Sequence, residues 1–157
     1  MNSLNIKFYS LDEVAIIGKE GFCTKECNIV GELWKNANSN FSEVLELGKK
    51  DKDGNYVGFW GAMSNESMSF LPWSDGFSRG YYLAGIETNI DAVAPNGWKK
   101  WILPRRHYLV CEVELDSYME VFNKVIKYEL PSRNLKLSGA VCDFTDPNNG
   151  KTIYFFQ

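Results

Sequence analysis

The segment Ser117–Pro131, SYMEVFNKVIKYELP, decides how the rest of the chain is read. Tyr118, Val121, Phe122, Val125 and Ile126 recur at spacings of three and four, the apolar stripe of an amphipathic helix. Ser117 followed by Glu120 is a capping box, in which each side chain satisfies a backbone amide of the first turn. Pro131 has no amide to donate and crowds the preceding turn, so the helix is predicted to end at Leu130. Upstream, Trp98–Glu114 reads as two strand segments around a bend at Pro104, because proline is excluded from a central ladder. Downstream, Leu137–Thr145 and Lys151–Phe156 read as a hairpin around Asp146-Pro147-Asn148-Asn149-Gly150, whose Asn-Gly is a strong turn signal.

The first half follows the same plan. Val14–Phe22 is a β-branched run crossed by two glycines. From Asn28, a plausible N-cap, Ile29, Leu33, Trp34 and Ala37 line one side of a helix. A short helical piece, Phe41–Leu47, stops at Gly48. Tyr56–Ser64 and Gly80–Asn89 are strands joined by a long loop carrying Phe70, Pro72 and Trp73. The expectation is an α+β fold in one domain over 1–157, built of two pseudo-twofold β-α-β-β units, about 1–90 and 91–157. Two small antiparallel sheets would meet, with helices outside and a central ligand cleft between the units.

With 157 residues, 45% hydrophobic and 24% charged, the chain has apolar material for one core. Aromatics reach 15%, enough to build a pocket from rings as well as a core. A net charge of -3 argues against a direct nucleic-acid binder, which needs a basic face. No apolar run approaches a membrane span and the first residues lack a signal-peptide layout, so the expected location is cytoplasmic. Cys23 and Cys27 have a spacing that could begin a zinc site, but Cys111, Cys142 and the sole histidine, His107, do not complete one; no metal and no cofactor are expected. The run Lys49–Gly54 mixes signs and reads as a solvated loop. No phosphate-cradling glycine motif and no nucleophile elbow is present.

Strand parity sorts the side chains if helices cover one face and the cleft lies on the other. Val57, Phe59 and Met63 then pack under a helix while Trp60 and Ala62 face the cleft. Tyr82, Ala84 and Ile86 pack, while Tyr81, Leu83, Gly85 and Glu87 face the cleft. In the last hairpin Ala140, Cys142 and Phe144 make the helix-packed face, which sends Asp143 and Val141 into the cleft. Trp98 and Trp101, alternating with Lys99 and Lys100, and Tyr108 and Tyr154 complete the candidate ligand-binding set. Arg105, Arg106 and His107 read as rim residues, and neither half offers the acids an obvious internal partner.

The stretch Gly80-Tyr-Tyr-Leu-Ala-Gly-Ile-Glu87, then Gly97-Trp-Lys-Lys-Trp-Ile-Leu-Pro104 with Tyr108, resembles the GyrI-like effector-binding domain of AraC-type and related transcription regulators, also found in stand-alone form. Cys142-Asp-Phe-Thr-Asp-Pro147 and Ile153-Tyr-Phe-Phe156 resemble that family's final hairpin, and Val14–Lys19 and Leu33-Trp34 suit it too. The resemblance implies two β-α-β-β units around an aromatic cleft with a buried carboxylate, used by relatives in multidrug binding of cationic, hydrophobic molecules. The family's acid is a glutamate two residues before a tyrosine in the penultimate strand; the matching positions here are Asp143 and Thr145. All 157 residues are consumed by the two units, leaving no room for a DNA-reading helix-turn-helix.

Three functions follow as expectations. The first is a small-molecule binder for cationic, aromatic or amphiphilic ligands, sensing an effector without a DNA-binding domain. The second is a hydrolase of reactive small molecules, with Glu87 as general base and Tyr81 or Tyr108 as donor. The third is a protein-interaction module anchored on exposed loop rings Phe70, Trp73 and Phe77.

Overall fold

The computed structural model describes residues 6–113, 118–148 and 150–156. In chain order the strands are β1 (Ile6–Leu11), β2 (Val14–Cys23), β3 (Phe59–Ser64), β4 (Gly80–Thr88), β5 (Lys99–Leu103), β6 (Arg106–Val113), β7 (Val141–Thr145) and β8 (Thr152–Phe156). Helix α1 (Val30–Asn40) follows β2, and α2 (Tyr118–Lys124) follows β6. The expected two sheets are one: eight antiparallel strands in the order β1-β6-β8-β7-β3-β4-β2-β5. The halves fuse because β3 pairs with β7, from Phe59 opposite Thr145 to Ala62 opposite Cys142. Exchanging each strand of the first half with its counterpart in the second reverses this order onto itself, so the pseudo-twofold axis passes between β3 and β7.

β1 was not expected. Its residues IKFYSL alternate weakly, and Phe8 and Tyr9 stay exposed. It pairs with β6 as β5 pairs with β2, so the first strand of each unit joins the other unit's edge.

Short connections bend this sheet. Only Asp12 and Glu13 join β1 to β2, which stand first and seventh in the order, and only Pro104 and Arg105 join β5 to β6. In a flat sheet six strand spacings would separate β1 from β2 by about 29 Å, whereas three residue steps reach only about 10 Å. The sheet therefore curls into an incomplete barrel. Gly18 sits opposite Gly85 in the β2–β4 ladder, where a Cβ on either would lie under 3 Å from the partner's backbone, so only glycine permits this close coiling.

Curling buries both faces of the sheet. Val14, Ile16, Trp60, Ala62, Leu83, Trp101, Leu103, Tyr108, Cys142 and Phe155 form the inner core. Outside, α1 lays Leu33 and Ala37 on Cys23, Tyr82 and Ala84. Its first turn is held by Asn28, whose Oδ1 accepts the Val30 amide at 3.0 Å, although Ile29 occupies the cap position. The expected helix Phe41–Leu47 is two 3-10 turns, Phe41–Glu43 and Leu45–Leu47. On the second half, Val121, Val125 and Leu130 seal Cys111, Val141, Tyr154 and Phe156. Ser117 and Asn149, on which the capping box and the Asn-Gly turn depend, lie outside the described residues.

Pro131 does not end the second helix. The chain widens into a π-helical segment, Val125–Glu129, and continues through Leu130–Ser132. Lys127, whose carbonyl the proline ring would strike in a regular α-helix, lies in that wider segment, which relieves the clash. The helix closes three residues on, with Asn134 left-handed at φ 55° and the Leu135 amide donating to the Leu130 carbonyl at 2.9 Å. Among the described residues no helix is long and apolar enough to cross a membrane.

Candidate functional site

The ladder between β3 and β7 sets which side chains share a face. Trp60 stands opposite Phe144 and Gly61 opposite Asp143. Because directly paired residues point the same way, Phe144 and Cys142 turn inward with Trp60, and Asp143 and Val141 turn outward beneath the helices. This corrects the parity expected for the last hairpin. β7 alternates an apolar pair, Cys142 and Phe144, with Val141, Asp143 and Thr145. Both faces of the curled sheet are covered, so the alternation does not say which set faces the barrel, and a slip of one residue exchanges the faces. Tyr154, opposite Asp143, is likewise outside, fully buried among Phe122, Val121 and Phe156.

The outward acid stands in a groove of about 490 Å³ beside the pseudo-twofold axis, lined by Val30, Trp34 and Asn38 of α1 and by Phe59, Tyr82, Asp143, Thr145 and Thr152 of the sheet. Three residues from three elements build its floor. Trp34 Nε1 donates to the Tyr82 hydroxyl at 2.8 Å. Asp143 Oδ1 and the Tyr82 hydroxyl each lie 2.1 Å from the point a Cβ on Gly61 would occupy, so a glycine is what lets them meet there. Burial pushes the Tyr82 phenol well above its ordinary range, and the Asp143 charge adds to the shift. Thr145 and Thr152 face each other across the β7–β8 ladder with their hydroxyls 3.1 Å apart. The small Thr145 leaves the groove open where the related pattern has a tyrosine.

Glu87 lies on the other face, inside the barrel and 8% exposed. Its Oε1 accepts a hydrogen bond from Trp60 Nε1 at 2.8 Å, and Lys49 Nζ stands 3.8 Å from Oε2. The expectation of no internal partner is thus corrected for this acid. Burial pushes its carboxyl upward, against the Trp60 hydrogen bond and the Lys49 charge. The surrounding cavity, about 630 Å³, is the open mouth of the barrel between the β1–β2 corner and β7–β8. Trp60 packs there on Phe144 and Phe155 at 4.9 and 5.1 Å between ring centroids.

The nine expected ligand residues therefore do not share one cleft. Trp60 and Glu87 line the barrel mouth, joined by Val57, which lies ahead of β3 and turns inward rather than under a helix. Leu83, Trp101 and Tyr108 are buried in the inner core, with Tyr81 packed against it. Trp101 Nε1 is held by Glu20 at 2.7 Å and its ring meets Phe70, while Tyr108 stacks edge-on against Phe155. Trp98 is outside, on Phe41, Val44 and Ile86, with Nε1 donating to Glu43 at 2.8 Å and Lys19 over its ring. An odd separation from Trp101 puts it on the opposite face.

Glu87 and Tyr81 stand six residues apart along β4, on the order of 20 Å, so they cannot act on one substrate atom. Tyr108 borders a different cavity, with His107, Phe8 and Leu135. Of the loop rings, Phe70 and Trp73 are taken up by packing, while Phe77 stays 38% exposed. Phe70 plugs the barrel end opposite Glu87, its carbonyl accepting the Ala140 amide at 2.9 Å. Trp73 is buried against Tyr82 with Nε1 donating to the Tyr81 carbonyl at 2.9 Å, and Phe77 leans on Phe122.

Of the groove residues only Asp143 belongs to the expected ligand set; Phe59, Tyr82, Thr145 and Thr152 carry a signal only in register, and Trp34 only in where its helix lies on the sheet. Asp143 and Thr145 share a face by spacing, but what they face depends on pairing with β3 and β8.

No protein-family model matches the sequence, and no curated protein matches it significantly. Solved structures do. SAV2435 bound to tetraphenylphosphonium is 12% identical, with 97% of this chain and 92% of that chain covered and a TM-score of 0.69. An integron cassette protein from the mobile metagenome of Vibrio cholerae, VCH_CASS2, is 14% identical over 98% of this chain and 95% of that one, with a TM-score of 0.65. The EcmrR C-terminal domain is 8% identical over 98% and 96%, also with a TM-score of 0.65. Likeness at such identities speaks for architecture, and it covers both pseudo-twofold halves. The chain has the GyrI-like fold of these neighbours.

Proposed function

We propose that the protein binds a cationic, ring-bearing small molecule in the groove beneath α1, with Asp143 as counter-charge. The observation that carries this reading is the placement of the Asp143 carboxylate among Trp34, Phe59 and Tyr82 in a groove on the pseudo-twofold axis. Such rings hold a cation by about 0.5 to 2 kcal/mol each, and a carboxylate about 6 Å from a shielded cation attracts it by roughly 3 kcal/mol at an effective dielectric of about 20, before desolvation. Two further points support it. Asp143 occupies the position of the acid in the resembled family, and a neighbour of the same fold was solved with tetraphenylphosphonium.

The test compares tetraphenylphosphonium with neutral triphenylphosphine oxide by calorimetric titration. The wild type should prefer the cation by roughly 10- to 100-fold through charge attraction alone, and Asp143→Asn should remove the preference while leaving the neutral compound's affinity unchanged. Equal affinities in the wild type, or an unaltered preference in Asp143→Asn, would overturn the reading.

A further inference from the structure

The barrel mouth around Glu87 is separated from the helix-side groove by the sheet itself, and nothing assigned to that groove uses it. It is blind, since Phe70 and Met68 close the other end of the inner core. Its walls are apolar, formed by Trp60, Phe144, Ile153, Phe155 and Val110, and its charges are two lysines, Lys7 and Lys49, against three acids, Asp12, Glu13 and Glu87. Only Glu87 among these charges is buried at the floor.

Glu87 is rigidly placed and short of partners. Its amide donates to the Gly58 carbonyl at 3.0 Å and its carbonyl accepts the Lys49 amide at 2.8 Å, which pins the residue from both sides. A carboxylate can accept about four hydrogen bonds, and among the described residues Trp60 supplies one. Lys49 is half-exposed and at 3.8 Å is too far to donate well, yet its ammonium marks the side from which a cation reaches the second oxygen.

We propose that the barrel mouth is a second binding site, taking a small apolar molecule with one primary ammonium group, an alkyl- or aralkylamine. The ammonium replaces Lys49 at Glu87 Oε2, and the hydrocarbon lies on Trp60, Phe144 and Phe155. A compact ammonium has three donors for a carboxylate that lacks them, whereas a shielded cation such as a phosphonium has none. Both ligands are cations, so hydrogen-bond donors and depth together separate the ligand classes of the two sites. This inference does not rest on the reading of the Asp143 groove.

The experiment titrates 2-phenylethylammonium and neutral 2-phenylethanol into the wild type, Asp143→Asn, Glu87→Gln and Lys49→Met. The expected result is that the amine binds at least tenfold tighter than the alcohol, that Asp143→Asn leaves this unchanged, and that Glu87→Gln removes it. Gln keeps an oxygen for Trp60 Nε1, and melting curves check that the variant is folded. Lys49→Met removes the internal competitor and should tighten amine binding severalfold, which keeps the proposal testable if Glu87→Gln fails to fold. Equal binding of amine and alcohol, amine binding lost in Asp143→Asn but kept in Glu87→Gln, or no tightening in Lys49→Met would overturn it. Tetraphenylphosphonium affinity should not respond to Glu87→Gln, so the two sites fail or stand separately.

Discussion

Gly61→Ala isolates the groove with a single methyl group. Gly61 does not have a left-handed backbone, so alanine adds no conformational strain, and its effect is steric alone. The new Cβ would lie 2.1 Å from both Asp143 Oδ1 and the Tyr82 hydroxyl, more than 1 Å inside ordinary contact. Moving the carboxylate off its rotamer costs about 0.5 to 1.5 kcal/mol. Shifting the buried Tyr82 hydroxyl away from Trp34 Nε1 leaves polar groups unpaired, at about 1 to 3 kcal/mol. The two together give roughly 2 to 4 kcal/mol, or a fall in melting temperature of about 5 to 15 °C for a chain of this length. Calorimetric melting measures the first effect and tetraphenylphosphonium titration the second, which should fall at least tenfold because the acid is displaced. Tyr82→Phe removes one of the two clashing atoms, so Gly61→Ala should cost less in that background than in the wild type. If Gly61→Ala melts with the wild type and binds the cation unchanged, the meeting of Asp143 and Tyr82 over Gly61 does not build the groove.

Other outcomes follow from the same packing. Burial raises the Glu87 carboxyl, so between its unfolded value and its higher folded value the native state holds the extra proton; stability should fall as pH rises through that window, and melting from pH 4 to 7 should show Glu87→Gln free of this decline. Phe122 is half-buried against Phe77, Tyr154 and Phe156, so Phe122→Ala should cost about 2 to 3 kcal/mol by denaturant titration, at the low end for a large-to-small change. Cys27 is exposed, whereas burial pushes Cys111 to about 11 and Cys142 to about 12; a thiol reagent at neutral pH should modify one cysteine in the native protein and all four after unfolding, and fast reaction of a second would contradict the packing of the helices over Cys23 and Cys111 or of the inner core around Cys142.

Local chemistry was legible wherever one short stretch held the whole signal. The stripe Val121, Phe122, Val125 and Ile126, the run from Ile29 to Ala37 and the break at Pro104 each depend on neighbours along the chain. The repeat of strand, helix and strand pair was visible for the same reason, as was the parity of β4, where Glu87 interrupts an otherwise apolar inward face. Pro131 misled because the cost of proline was set by the widened turn before it, which no propensity contains.

Pairing between distant segments was not legible. β1 is half polar and becomes a strand through β6, about a hundred residues away. Both sides of β7 are covered in the fold, so only its register against β3 decides that Phe144 joins Trp60 inside and Asp143 joins Tyr82 outside. The sequence alone determined that acids and rings would be brought together in a two-unit α+β fold. The tertiary structure decided that they form two places rather than one, because a sheet curled tightly enough to bury both its faces separates odd from even residues by its own thickness.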